Sequence, residues 1–159
     1  MTIRILAVGK IKESFWRDAI AEYIKRLSAF TKVEIVEVDD EKAPRDASEK
    51  EELLIKEKEG HKLLQKISNK EYVIALTLKE NQLDSLGFSR FLSRCLIDGG
   101  SSICFVIGGS LGLSESILGR ANKKISLSEL TFTHQMTRVI LLEQIYRSFK
   151  VLNNETYHK

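Results

Sequence analysis

Apolar and polar positions alternate along this chain in two rhythms that trade places from one end to the other. Thr2–Val8 (TIRILAV) is a short apolar-rich run stopped by Gly9, which predicts a strand over 2–8. Phe15, Trp16, Ala19, Ile20, Tyr23, Ile24 and Leu27 then recur at spacings of three and four, predicting a one-faced helix over about 12–29. Val33, Ile35, Val36 and Val38 mark a second strand over 32–38. Residues 39–47 are polar, contain Pro44 and read as a loop. Ser48 with Glu51 three positions on has the form of a capping box and opens a charged helix running to about Ile67, its outer face wet. A third strand covers about 72–78, a helix about 85–97 closed by Asp98-Gly99-Gly100, and a fourth strand 102–107. A short helix at about 114–121, a short strand at 124–128 and a last helix from about His134 to Leu152 complete the chain.

Strand and helix alternate without a linker or repeat, which predicts one α/β domain over 1–159 with a mostly parallel sheet covered by helices on both faces. A length of 159 residues, 43% hydrophobic and 30% charged, fits one globular core. No apolar stretch approaches the roughly 20 residues that span a bilayer, and the N-terminus reads as a strand, so no membrane role and a cytoplasmic location are expected. Cys95 and Cys104 lack zinc spacing and sit in apolar surroundings, as reduced core thiols do. His61, His134 and His158 form no paired ligand motif, so no metal is expected. Net charge is +3, but residues 37–60 hold ten acidic against five basic side chains, which leaves +8 on the rest. Such asymmetry suits a protein that meets RNA with one side, and equally a solvated charged helix.

Ligands in open α/β sheets bind beyond the carboxyl ends of strands. Three ends stand out here: Leu76-Thr77-Leu78, Ile107-Gly108-Gly109, and Leu127-Ser128 leading to Glu129–Phe132. Gly108, Gly109 and Gly112 permit close backbone approach or positive φ, although GGxxG is not the dinucleotide fingerprint and also suits a plain tight turn. In the last helix, Val139, Leu141, Leu142, Ile145, Tyr146 and Phe149 fill one wide arc, with Met136 and Ile140 outside it. A helix apolar around so much of its circumference is buried on more than one side, which points to a homodimer interface or to a central helix in one chain. Arg138 projects into that arc and must pair, reach a ligand or snorkel. Glu143 and Arg147 have the spacing of an intrahelical pair, and His134 at the helix start serves as a cap, a core residue or a catalyst. The tail from Asn153 reads as a frayed end, yet Tyr157, His158 and Lys159 offer a stacking ring, a hydrogen bond and a cation.

Ile3–Gly9 (IRILAVG), Phe105–Leu113 (FVIGGSLGL), Ser126–Arg138 (SLSELTFTHQMTR), Glu143–Phe149 (EQIYRSF) and the terminal Tyr157-His158-Lys159, taken in order, resemble the ribosomal RNA large subunit methyltransferase H family over the whole chain. The resemblance implies a SPOUT-type α/β fold with a C-terminal trefoil knot, S-adenosylmethionine as cofactor, and a homodimer. It also implies methylation of N3 of a pseudouridine in 23S rRNA of assembled ribosomes. Cofactor contacts carry over to Leu76, Gly108, Leu127, Ser128, Glu129, Leu130, Thr131 and Phe132. The chain departs from the family in carrying Thr133 where proline is common before the histidine; proline there would stiffen the helix start. The proton on N3 must leave during such a transfer, and His134, Arg138 and His158 are candidates to assist, with Tyr157 to stack on the base. A non-catalytic RNA- or nucleotide-binding module is the rival reading, separated from the first by cofactor binding. A flavodoxin-like enzyme is disfavoured because no phosphate loop is evident.

Overall fold

The computed structural model describes residues 1–159. Five strands, β1 (Thr2–Val8), β2 (Lys32–Val38), β3 (Tyr72–Leu76), β4 (Ser102–Ile107) and β5 (Lys123–Ile125), form one sheet in the order β2-β1-β4-β3-β5. Every pairing is parallel, with Ile5 of β1 opposite both Ile35 and Phe105. Helices α1 (Ser14–Leu27), α2 (Glu49–Leu64), α3 (Ser85–Gly99), α4 (Glu115–Arg120) and α5 (His134–Leu152) connect the strands and close the chain.

The two faces of the sheet are sealed separately. Ile3, Ile5, Ala7, Ile74, Ile103, Phe105 and Ile107 meet α1, α3 and α5. Leu6, Val8, Val73, Ala75, Cys104 and Val106 meet α2 and α4. Strands covered on both faces have no polar alternation to keep, which is why β4 from Ile103 and β1 from Ile5 read as continuous apolar runs. α2 buries only Glu59, Gly60 and Leu63, so its remaining surface faces water as its charge requires.

Local chemistry sets most boundaries. Ser48 and Glu51 complete the capping box at α2. Asp84 and Ser114 accept the backbone N–H groups of Gly87 and Ile117 at the starts of α3 and α4. Thr133, not His134, caps α5: its Oγ1 accepts from Met136 N at 3.4 Å. The helix start therefore has its own side-chain anchor. β5 is shorter than the alternation suggested and stops at Ile125, leaving Leu127–Phe132 as loop.

α5 lies between α1 and α3 against the middle of the sheet. Leu141, Leu142, Ile145 and Phe149 are thus buried within one chain. The wide apolar arc is that of a central helix, and it does not by itself call for a second subunit. The tail is not frayed either. Tyr157 is half-buried, its ring edge-on to Tyr146 with centroids 5.0 Å apart, the Arg147 guanidinium 4.7 Å from its centroid, and its hydroxyl donating to Glu143 at 3.2 Å.

Candidate cofactor cavity and its acceptor side

All strands are parallel, so every strand–helix loop that follows a carboxyl end emerges on the same side of the sheet. The loops after β3, β4 and β5 enclose a cavity of about 820 Å³ there. Leu76, Gly108, Leu127, Ser128, Leu130, Thr131 and Phe132 line it, and so does His134. Glu129, expected with them, is not among the residues that line the cavity and is exposed. Thr77, Leu78, Leu111 and Gly112 also line it; the strand-end rule reaches the first two, and the glycine-rich run the others.

The protein's own packing requires these glycines. A Cβ on Gly108 would lie 2.7 Å from Gly112 C and 2.9 Å from Gly112 O, so the loop folds back on itself only because Gly108 has no side chain. Gly112 turns at φ +88, a conformation L side chains disfavour, and its N–H closes onto Gly109 O at 3.0 Å. Behind Gly109 sits the Glu59 carboxylate, where a Cβ would come within 3.1 and 3.2 Å of its two oxygens. Glu59 accepts from Glu41 N at 3.0 Å, and its burial pushes its pKa above the usual carboxylate range.

At the start of α5 the polar residues form one unit. Arg138 is 1% exposed and neither snorkels nor points into the cavity. Its Nη1 donates to Glu37 Oε2 of β2 at 2.6 Å, and its Nη2 to Gly9 O at 2.7 Å. Nη2 also lies 3.0 Å from His134 Nδ1. Glu37 accepts a further bond from Ile11 N at 2.9 Å. Glu37 follows Val33 and Ile35 on the face of β2 that meets the core shared by α1, α3 and α5; that alternation was the only sequence signal for it. Burial, and then Arg138, hold the His134 pKa below the ordinary imidazole value, against smaller opposing effects of Asp40, Glu37 and Glu13.

Tyr157 and His158 lie elsewhere. His158 Nδ1 is 3.3 Å from Arg147 Nη1, and Arg147 pairs with Glu143 at 2.8 Å. Arg147 is thirteen residues beyond His134, about 20 Å along a helix rising roughly 1.5 Å per residue. One chain therefore brings Arg138 against His134, which lines the cavity, and keeps Tyr157 and His158 apart from them. The structure contains no cluster of three or more metal-ligating side chains. No helix is long and apolar enough to cross a membrane. Both cysteines are buried, Cys95 with a pKa pushed up to about 11 and Cys104 to about 12 by desolvation.

Residues 1–158 match the family described as "Predicted SPOUT methyltransferase". Among curated proteins, the chain is 53% identical over its full length, and that of the relative, to ribosomal RNA large subunit methyltransferase H 1 of Clostridium perfringens (strain SM101 / Type A). It is 55% identical, again over both full lengths, to ribosomal RNA large subunit methyltransferase H of Clostridium botulinum (strain Okra / Type B1). A parallel five-stranded α/β sheet with a strand-end cavity, matched end to end by these sequences, belongs to the ribosomal RNA large subunit methyltransferase H family of SPOUT methyltransferases.

Proposed function

We propose that this protein is a single-domain, S-adenosylmethionine-dependent methyltransferase that modifies N3 of a pseudouridine in 23S rRNA of assembled ribosomes, in the cytoplasm and as a homodimer. The observation that carries the reading is the cavity itself. Its volume falls within the range of about 300–1,000 Å³ common to small-molecule sites, and three strand-end loops build it in a chain of methyltransferase lineage. The residues fit the cofactor. Leu76, Leu127 and Phe132 offer apolar walls for a flat ring, and Ser128, Thr131 and the loop backbone offer polar partners to a nucleoside and an amino acid. When bound, S-adenosylmethionine supplies an activated methyl group on a sulfonium, so the transfer needs alignment more than it needs a strong nucleophile.

The chain's own task is to hold the acceptor nitrogen in line and stabilise it as its proton leaves. His134 stands at the cavity for this, positioned by Arg138. A protein of this size has little surface for reading sequence, which favours recognition of ribosomal shape. Two features support a second subunit. Phe15, Leu78, Leu83, Leu86, Leu130 and Met136 are all exposed large apolar side chains at the cavity end of the sheet, Leu130 by 68% and Phe15 by 61%. Tyr157 and His158, remote from the cavity of their own chain, reach an active site only if it is a partner's. Family membership also implies the C-terminal knot, and the chain's return from edge strand β5 to α5 at the middle of the sheet is compatible with it.

Calorimetric titration with S-adenosylmethionine, followed by methylation of intact ribosomes and of free rRNA with mapping of the modified base, tests the reading. Saturable cofactor binding and methylation confined to ribosomes are expected. Absence of cofactor binding by the folded protein would leave the non-catalytic RNA-binding module instead.

A further inference from the structure

His134 meets one donor and one open side. A guanidinium carries only hydrogen-bond donors, so the 3.0 Å contact from Arg138 Nη2 makes His134 Nδ1 an acceptor. A neutral imidazole that accepts at Nδ1 carries its proton on Nε2. Arg138 cannot easily turn away: it is buried, with Glu37 and Gly9 O holding the same guanidinium face, while its Nε has no partner to draw it elsewhere. An imidazolium would set a second N–H against those donors. Nε2 itself makes no hydrogen bond within the chain and is not sealed from solvent. The ring edge rests on Gly9, where a Cβ would lie 2.8 Å from both Cε1 and Nε2, so no larger residue fits under it.

We infer that His134 serves the transfer as an Nε2–H hydrogen-bond donor to a carbonyl oxygen of the acceptor base, not as the base that removes its proton, and that Arg138 and Glu37 are positioning residues for that donor. The inference rests on the function proposed above. N3 of a uracil ring lies between two carbonyl groups, so loss of its proton spreads negative charge onto their oxygens. A fixed donor aimed at such an oxygen stabilises this charge as it develops. The bookkeeping closes with water: the N3 proton passes to a solvent water, the N3–methyl bond forms as the sulfur–methyl bond breaks, and the sulfonium charge is discharged. The charged groups around the ring come from every side: Arg138 on α5, Glu37 on β2, Asp40 beyond β2 and Glu13 ahead of α1.

Long-range proton–nitrogen NMR correlation of the 15N-labelled wild-type protein reads the tautomer directly, with His134 assigned by the loss of its signals in His134→Gln. A single Nε2–H tautomer that resists protonation to below the ordinary imidazole value is expected. An Nδ1–H tautomer, or titration of His134 that tracks a limb of the rate–pH profile, would overturn the inference. Methylation of ribosomes supplies the second arm. His134→Gln places an amide N–H near the Nε2 position and should stay within about tenfold of wild type, whereas His134→Ala should lose about 10²–10³-fold, the cost of one such donor. Equal loss in both variants, each folded and binding cofactor normally, would also overturn it. Glu37→Gln should preserve the fold yet mix the tautomers; an unchanged His134 spectrum would remove Glu37 from the positioning unit. Failure of the methyltransferase reading would look different: wild-type protein would neither bind cofactor nor methylate, whatever its tautomer.

Discussion

The substitution Gly108→Ala should damage both stability and cofactor binding, and the structure sets the scale. The new Cβ would lie 2.7 Å from Gly112 C, 2.9 Å from Gly112 O and 3.1 Å from Leu113 N, all backbone atoms. Non-bonded carbons rest at about 3.5–4.0 Å, so the two arms of the loop must part by roughly 0.8 Å or more. Such overpacking costs about 1–3 kcal/mol. Parting the arms also strains the Gly112 N–H to Gly109 O bond, whose net worth is about 1 kcal/mol. The sum, about 2–4 kcal/mol, corresponds to a fall in Tm of about 4–16 °C in a chain of this size. Because the same loop walls the cavity, S-adenosylmethionine affinity should drop at least about tenfold in calorimetry, roughly 1.4 kcal/mol. Gly119→Ala is the control: a Cβ there meets nothing within 4 Å in α4, and the helix should gain slightly. A Gly108→Ala protein with wild-type Tm and affinity would refute the claim that the loop's self-contact shapes the site.

Other consequences follow from the same geometry. Gly60→Ala should destabilise α2 against α4 by about 1–3 kcal/mol in urea unfolding, since its Cβ would overlap Ser114 Oγ, and Gly60→Ala with Ser114→Ala should recover part of the loss; no recovery would exclude that contact as the cause. Glu59 has a folded pKa above its unfolded one, so the native state binds protons more readily, and stability is lost as pH rises from the unfolded through the folded value. Glu59→Gln should therefore gain on wild type in Tm as pH rises above the ordinary carboxylate value of about 4, with the amide oxygen still accepting from Glu41; a flat difference would contradict the shift. Native protein at pH 8 should leave Cys95 and Cys104 unlabelled by a thiol reagent until it is unfolded, given pKa values of about 11 and 12; rapid labelling of the folded protein would show that their burial is overstated. Removing Tyr157–Lys159 should cost about 0.5–1.5 kcal/mol from the lost Tyr146 contact, leave cofactor affinity unchanged and abolish ribosome methylation; full activity in the truncated protein would free the tail of any catalytic part.

Much of this protein is written locally. Strand and helix order, the capping box at Ser48 and the paired Glu143 and Arg147 all depend on residues within about one helical turn or one strand of each other, which is the range over which periodicity and capping act. The three loops of the cavity were legible for the same reason, because a strand's carboxyl end can be found without knowing its neighbours. The wide arc of α5 was legible too, but not what covers it: an apolar face records that something packs there, and only the placement of α5 between α1 and α3 supplied the answer from within the chain. Arg138 announced itself as a buried charge needing a partner, yet that partner, Glu37, lies 101 residues away on a strand brought near by the order β2-β1-β4-β3-β5. The same holds for Glu59 beneath Gly109 and for Tyr157 folded back onto Tyr146. Sequence determined which groups were costly to bury and which faces were apolar; tertiary structure alone decided what meets them, because long-range pairing follows strand order and chain return, which no local pattern encodes.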